Sequence, residues 1–191
     1  MERVSTVSAA LLQLESRAGQ MHVGFLARVD AGPGGASLDV EVLRQRIARR
    51  LERTPRLRQV VAPIGERDGR LVWRQQRDFA LARHVSVCDA PVGGEEQLRA
   101  VVDAFLAREL ERDRPLWHVL VVPSAGSGGA AIVAVAHRAL YADAGSAAEP
   151  DLLRALIFDR AAPAGGGHAG GAGGGARAGA AGAGGAFASG A

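Results

Sequence analysis

The stretch from Ala131 to Gly145 constrains the fold of this chain more than any other. Residues 131–136 are small or branched apolar residues without polar alternation, which is typical of a strand buried on both faces of a sheet. The run ends at His137 and Arg138, and Asp143 follows shortly after. A sheet fixes the backbone while the turn after a strand exposes side chains, so this is a common place for proton-transfer groups. We therefore predict a site at the end of this strand, with His137 and Asp143 as candidate catalytic residues.

Hydrophobic periodicity predicts an α/β arrangement around this strand. The second helix has the clearest pattern, because an apolar residue recurs every three or four positions from Val40 to Leu51. An Asp-Gly turn at 68–69 favours a hairpin between two short strands. Helices are predicted over residues 5–15, 38–53, 95–110 and 147–158, and strands over 21–29, 58–63, 71–75 and 116–122.

Composition divides the chain into one domain and a tail. Half of the 26 glycines follow Arg160, in a segment that is almost entirely Gly and Ala. Such a segment has too little side-chain surface to offset the entropy lost on ordering. We predict a single domain over residues 1–159 and a disordered tail over residues 160–191. A domain of about 160 residues buries about 70% of its unfolded surface, enough for a core.

Charge and cysteine content exclude several classes of protein. The 23 basic residues, all Arg, are interleaved with 20 acidic ones, and the net charge is only +3, so no nucleic-acid partner is expected. Cys88 is the single cysteine, and the histidine spacings match no zinc pattern, so no metal site is expected. There is no signal peptide and no apolar run of about 20 residues, which favours a cytoplasmic protein. The arginine-rich stretch 44–58 is either a solvated face or a contact for anionic lipid headgroups or CoA phosphates.

Five short motifs occur along the chain. They are Ser5-x-x-Ser8-Ala9-x-Leu11-Leu12-x-Leu14-Glu15, Met21-His22-Val23-Gly24, Pro55-Arg56-Leu57-Arg58-Gln59, Phe79-x-Leu81-x-Arg83-His84-Val85 and Leu110-Glu111-Arg112-Asp113-Arg114-Pro115-Leu116-Trp117. In their order and spacing they are similar to the N-terminal lobe of the bacterial wax ester synthase/diacylglycerol acyltransferase family, over about residues 5–158. The resemblance implies a chloramphenicol-acetyltransferase-like lobe of α/β (α+β) class, in which a mixed sheet is flanked by helices and a second lobe closes a tunnel.

The resemblance also implies a reaction. Members transfer an acyl group from acyl-CoA, a co-substrate, to a long-chain alcohol or diacylglycerol in neutral-lipid synthesis, with no cofactor. Their motif is His-His-x-x-x-Asp-Gly, whose second His is the general base. Anchored on Ala139-Leu140, His137 matches the first His and Arg138 the second, while Asp143 lies one place late. Arginine, with a pKa above about 12, cannot accept a proton, and such a base contributes about 10²- to 10⁴-fold in rate.

Two registers of this motif are open. In the first, Arg138 stands at the base position, points into the space between lobes and contacts substrate, while His137 turns back and makes a buried hydrogen bond. In the second, Ala136 and His137 stand for the histidine pair and His137 is the base, with two extra residues before Asp143. Residues 137 and 138 point to opposite faces while the strand lasts, so only one can face the tunnel. Asp143 is alternatively a helix cap, and Trp117 either lines the tunnel and binds substrate or is a core aromatic residue.

The implied second lobe, with its Asn-containing motif, is not found in this sequence, which has no Asn. Three interpretations follow: an acyltransferase that takes its second lobe from a partner chain, a catalytically inactive binding or scaffolding lobe, and a truncated gene product without function. A lobe that evolved to pack against another exposes an apolar patch of several hundred Å². We therefore expect a second lobe or a second copy of this chain as partner, and contact with a membrane or lipid droplet at the periphery.

Overall fold

The computed structural model describes residues 2–64, 70–126, 128–142 and 149–158. The predicted tail, residues 160–191, and Asp143 lie outside them. Seven strands and four helices occur in the described part of the chain. The strands are β1 (Glu2–Arg3), β2 (His22–Val29), β3 (Gln59–Pro63), β4 (Leu71–Gln75), β5 (Val85–Val87), β6 (Trp117–Pro123) and β7 (Ala130–His137); the helices are α1 (Thr6–Ala18), α2 (Val40–Leu51), α3 (Glu95–Leu106) and α4 (Glu149–Ile157).

The strands form two sheets. The larger has the order β2-β7-β6-β5, in which β5 is parallel to β6 and the other pairs are antiparallel. The smaller has the order β1-β4-β3, all antiparallel. The predicted mixed sheet flanked by helices is confirmed.

Strand β7 lies at the centre of the larger sheet, and every one of its residues is buried. Its even-numbered side chains, such as Ile132, pack in the core with α2 and α4. Its odd-numbered side chains, such as Val133, pack beneath α3. The unbroken apolar run is therefore explained by two covered faces, as the sequence predicts.

Strands β2 and β7 approach closely at Gly24. A Cβ built there would lie 2.3 Å from the carbonyl oxygen of Ala134 on β7, a separation that no side chain tolerates. Glycine at this position lets β2 pair with β7 along its whole length, so that His22 lies directly opposite His137.

Side chains cap the N-terminal ends of α1 and α2. The Ser5 hydroxyl accepts a hydrogen bond from Ser8 N–H at the start of α1, and the Asp39 carboxylate accepts bonds from the first turn of α2. Helix α2 buries the predicted apolar stripe, including Ile47 at 0% exposure.

The C-terminal ends of α1 and α3 differ most from the prediction. Helix α1 continues to Ala18, because no helix breaker precedes Gly19. Helix α3 ends at Leu106 rather than at residue 110. The segment after it contacts α1 and the loop that follows α1. Arg112 donates to the Leu12 carbonyl of α1 at 2.6 Å, and Gln20 of the loop donates to the Ala107 carbonyl. Tertiary contacts here override helix propensity.

Candidate active site

His137 is the last residue of β7 and is completely buried. Its Nδ1 accepts a hydrogen bond of 3.0 Å from the backbone N–H of Ala139, which caps the 3₁₀ turn Arg138–Leu140. Because Nδ1 is an acceptor, the neutral ring carries its proton on Nε2. Nε2 lies 3.5 Å from Oε2 of Glu15. Both ring nitrogens of His137 are therefore directed at groups inside the lobe.

Glu15 brings together four segments in an acid–histidine cluster, which consists of Glu15, His22, Arg112 and His137. Its Oε1 lies 3.2 Å from Nε2 of His22, and its Oε2 accepts a hydrogen bond of 3.1 Å from Arg112. The His22 and His137 rings meet edge to face with centroids 6.2 Å apart. One carboxylate thus contacts two histidines and an arginine.

Burial keeps the histidines of this cluster neutral. It lowers the pKa of His137 to about 4, although the charge of Glu15 acts in the opposite direction. Burial also lowers the pKa of His22, again against Glu15. The guanidinium of Arg112 already neutralises the carboxylate, so neither imidazole needs to be protonated.

Arg138 is exposed, in contrast to His137. The strand ends between these two residues, and Arg138 begins the turn. His137 therefore makes the buried hydrogen bond that the first register predicts, and the side chain of residue 138 reaches the surface. The catalytic role predicted for His137 and the substrate-binding role predicted for Arg138 stay predictions, as does the role of Asp143.

Trp117 lies inside the lobe at 1% exposure. It pairs with Ala136 across β6 and β7, one residue from His137. Its indole N–H donates to the Leu57 carbonyl at 2.7 Å. All of these contacts are within the core, and its predicted role in substrate binding stays a prediction.

Trp117 also ends a stack of planar groups that sequence reasoning missed. The His84 ring stacks on Trp117 with centroids 4.6 Å apart, and Phe79 stacks on His84 at 5.1 Å. The Arg58 guanidinium lies 5.5 Å from the Phe79 ring centroid. His84 Nδ1 lies 2.9 Å from the Trp117 carbonyl oxygen, and burial lowers the pKa of His84. Phe79 and His84 stand in one of the family motifs, the only signal the sequence offered.

A cavity of about 970 Å³ opens beside the acid–histidine cluster, between α1 and residues 109–112. We call it the α1 groove. Leu14 and Leu110 line it together with Glu15 and Arg112. Within the described ranges, no three His, Cys, Asp or Glu side chains are arranged to bind a metal. No helix in the same part of the chain is long and apolar enough to cross a bilayer.

Comparison with known proteins identifies the family. Residues 4–156 match the wax ester synthase/diacylglycerol acyltransferase catalytic domain. The chain belongs to this family. The wax ester synthase/diacylglycerol acyltransferase from Marinobacter aquaeolei VT8 superposes with a TM-score of 0.59 at 25% identity, over 73% of this chain and 34% of that one. The tallysomycin biosynthesis protein TlmII has the same fold, with a TM-score of 0.56 at 17% identity over 81% of this chain and 37% of that one.

Curated members of the wax ester synthase/diacylglycerol acyltransferase family are similar over the same region. The probable diacylglycerol O-acyltransferase tgs3 of Mycobacterium tuberculosis (strain H37Rv) is 34% identical over 140 residues, which are 72% of this chain and 51% of that protein. The putative diacylglycerol O-acyltransferase Rv3087 of the same strain is 32% identical over 147 residues, 75% of this chain and 30% of that protein. The chain thus spans about half, or less, of the relatives that it matches.

Proposed function

We propose that this chain forms the N-terminal half of an acyl-CoA-dependent O-acyltransferase that acts on diacylglycerol or a long-chain alcohol. The observation that carries this proposal is the family match over residues 4–156. Within it, the end of β7 places residues 137 and 138 at one turn. A starter condensation domain with the same fold was solved with C8-CoA, which supports acyl-CoA as the co-substrate.

The reaction needs a proton acceptor. The hydroxyl oxygen of the acceptor attacks the thioester carbonyl, its proton leaves, the C–S bond breaks, and the CoA thiolate takes up a proton. Arg138 cannot accept a proton. The lone pair on Nδ1 of His137 is occupied by Ala139 N–H, and Nε2 faces Glu15. We propose that the chain alone has no general base and no turnover above the uncatalysed rate.

Arg138 retains a binding role in this proposal. Arg138 is exposed at the turn after β7, and its guanidinium is always charged. A guanidinium there can bind a phosphate of CoA or the oxyanion that develops on the thioester carbonyl. Trp117 would then support the turn from inside the lobe, through its pairing with Ala136.

A second candidate function is that of a binding lobe without catalysis. The same observation favours it, since neither His137 nor Arg138 offers a free base. In this case the groove and turn bind acyl-CoA or a partner acyltransferase half, and the reaction takes place on the partner.

A pair of substitutions at residue 138 tests the proposal. Arg138→His supplies a base, whereas Arg138→Gln removes only the charge. Each purified chain is given palmitoyl-CoA with hexadecanol or diacylglycerol, bound acyl-CoA is measured by equilibrium dialysis, and free CoA is followed. We expect binding by the wild type, weaker binding by both variants, and CoA release at least tenfold above background for Arg138→His alone. Binding without release by Arg138→His supports the binding lobe, and absence of acyl-CoA binding by all three contradicts both candidates.

We also propose a cytoplasmic location with contact to an anionic lipid surface. Arg46 and Arg49 are exposed on α2 and have the helical spacing that places them on the side of exposed Val42; Arg53, also exposed, lies in the turn that follows the helix. Basic side chains beside an apolar one suit a lipid headgroup region. Cosedimentation with phosphatidylserine vesicles, lost in Arg49→Gln/Arg53→Gln and absent with phosphatidylcholine, supports this; equal binding to both lipids contradicts it.

A further inference from the structure

We propose that Glu15 is a positioning residue for the turn after β7. Its carboxylate holds His137 in the Nε2–H tautomer, so that Nδ1 stays free to accept from Ala139 N–H and cap the turn that carries Arg138. The relevance to acyl transfer rests on the proposed function, but the effect on His137 does not.

The environment of Nε2 makes Glu15 the group that stabilises a proton on this nitrogen, beside the Ala139 N–H that donates to Nδ1. Nε2 of His137 is buried, forms no regular hydrogen bond and has Oε2 of Glu15 at 3.5 Å. A buried N–H without an acceptor is destabilising, because it has lost its hydrogen bond to water. The negative carboxylate offsets this cost by attraction at short range, since the Glu15 side chain is itself only 12% exposed. Without it, moving the proton to Nδ1 would break the bond to Ala139.

Helix α1 holds the turn at a second point. The hydroxyl of Ser8, 0% exposed, donates to the Ala139 carbonyl at 3.0 Å. The N–H of Ala139 is bound by His137, which faces Glu15. Both backbone polar groups of Ala139 thus depend on side chains of α1, one directly and one through His137. The direction of residue 138 is therefore set by α1, two residues of which stand in the first family motif.

The other polar groups around the cluster contact different oxygens of Glu15. Arg112 donates to Oε2 at 3.1 Å and is anchored by the Leu12 carbonyl at 2.6 Å. His22 approaches the other oxygen, Oε1, at 3.2 Å. Oε1 of Glu15 therefore contacts His22, whereas Oε2 contacts His137 and Arg112. The two histidines do not compete for the same oxygen.

Imidazole ¹⁵N NMR of the histidine-labelled full chain tests the inference, with His137→Phe to assign the signal. Glu15→Leu removes the acceptor, Glu15→Gln keeps a neutral acceptor, and Glu111→Leu is the control. Glu111 also lines the α1 groove, but it pairs with Arg114 and not with a histidine. We expect pure Nε2–H His137 in the wild type and Glu111→Leu, a mixture of tautomers with faster Nε2 proton exchange in Glu15→Leu, and an intermediate spectrum in Glu15→Gln.

Two results would overturn the inference: Nδ1-protonated His137 in the wild type, or an unchanged His137 signal in folded Glu15→Leu. If Glu15→Leu does not fold, the His137 signal is compared between the wild type and Glu15→Gln. An unchanged His137 signal in Glu15→Gln would then overturn the inference. In the Arg138→His background, we expect Glu15→Gln to lower kcat about 10- to 100-fold with little change in KM for acyl-CoA. Absence of turnover in Arg138→His contradicts the proposed catalytic function. The NMR result tests the positioning role of Glu15 independently of turnover.

Discussion

Acidification should destabilise this lobe over a defined pH range, because its core contains neutral histidines. His137 is fully buried, and burial lowers its pKa from 6.5 to about 4. Between these two values the unfolded chain binds a proton at His137 that the folded chain does not bind. The free energy of unfolding therefore falls as pH falls from about 6.5 to about 4, and is independent of this group above 6.5.

The size of the effect follows from the shift. Each pKa unit corresponds to about 1.36 kcal/mol, so His137 alone should cost ~3 kcal/mol of stability across this range. His118, whose pKa burial also lowers to about 4, acts in the same direction. These losses are large against the ~5–15 kcal/mol that stabilises a typical domain.

Urea unfolding from pH 7.5 to pH 4.5, followed by tryptophan fluorescence, measures the effect. We expect the free energy of unfolding to fall with pH more steeply in the wild type than in His137→Gln, whose side chain does not titrate. The two curves should converge by about 1 kcal/mol per pH unit below pH 6. Parallel curves, or a wild-type stability that does not change between pH 7 and 5, would refute the assignment of His137 as a buried neutral side chain.

Three further results are expected. Ser8→Ala should lower the free energy of unfolding by about 1–3 kcal/mol, because it leaves the buried Ala139 carbonyl without its donor; chemical denaturation measures this, and a loss below about 0.3 kcal/mol would speak against the bond. Gly24→Ala should prevent stable pairing of β2 with β7, since the new Cβ would meet the Ala134 carbonyl oxygen at 2.3 Å. Gly93→Ala is the control and should be tolerated, because its Cβ meets Gln97 Oε1 at 3.5 Å. Equal melting temperatures for the two variants would contradict this. The chain should self-associate through apolar side chains on α1, Val7 at 59% and Leu14 at 45% exposure; light scattering should detect dimers or larger species that Val7→Ser/Leu14→Ser reduces, and a monodisperse wild-type monomer at high concentration would count against it.

The strands and helices with an unambiguous period could be predicted from the sequence. The run at 131–136 is apolar on both faces, which leaves a central strand as its natural structure, and the stripe of α2 defines which face is buried. Strand β1 has two residues and β5 has three, which are too few to show a period. Both are strands only because they pair with a neighbour, β1 with β4 and β5 with β6. The predicted end of α3 at residue 110 was wrong. The helix ends at Leu106, because contacts with α1 replace the last predicted turn.

The acid–histidine cluster could not be predicted, although each member is visible in the sequence. Glu15, His22, Arg112 and His137 lie on separate segments, and their meeting depends on the register of β2 against β7 and on α1 lying across the end of the strand. Alternation predicts that residues 137 and 138 point apart while the strand lasts, but β7 ends at His137 and Arg138 belongs to the turn. The sequence could not show which groups contact the His137 side chain, because those contacts are set by tertiary structure.

The most direct test of whether this chain contains a working base is free CoA release by the purified wild-type chain, given palmitoyl-CoA and either hexadecanol or diacylglycerol. His137→Ala is measured in parallel, with each protein checked for folding by circular dichroism. We predict the uncatalysed rate for both proteins, because the ring nitrogens of His137 are turned toward Ala139 and Glu15 and residue 138 is arginine. Robust release by the wild type that His137→Ala abolishes would contradict this and establish His137 as the general base.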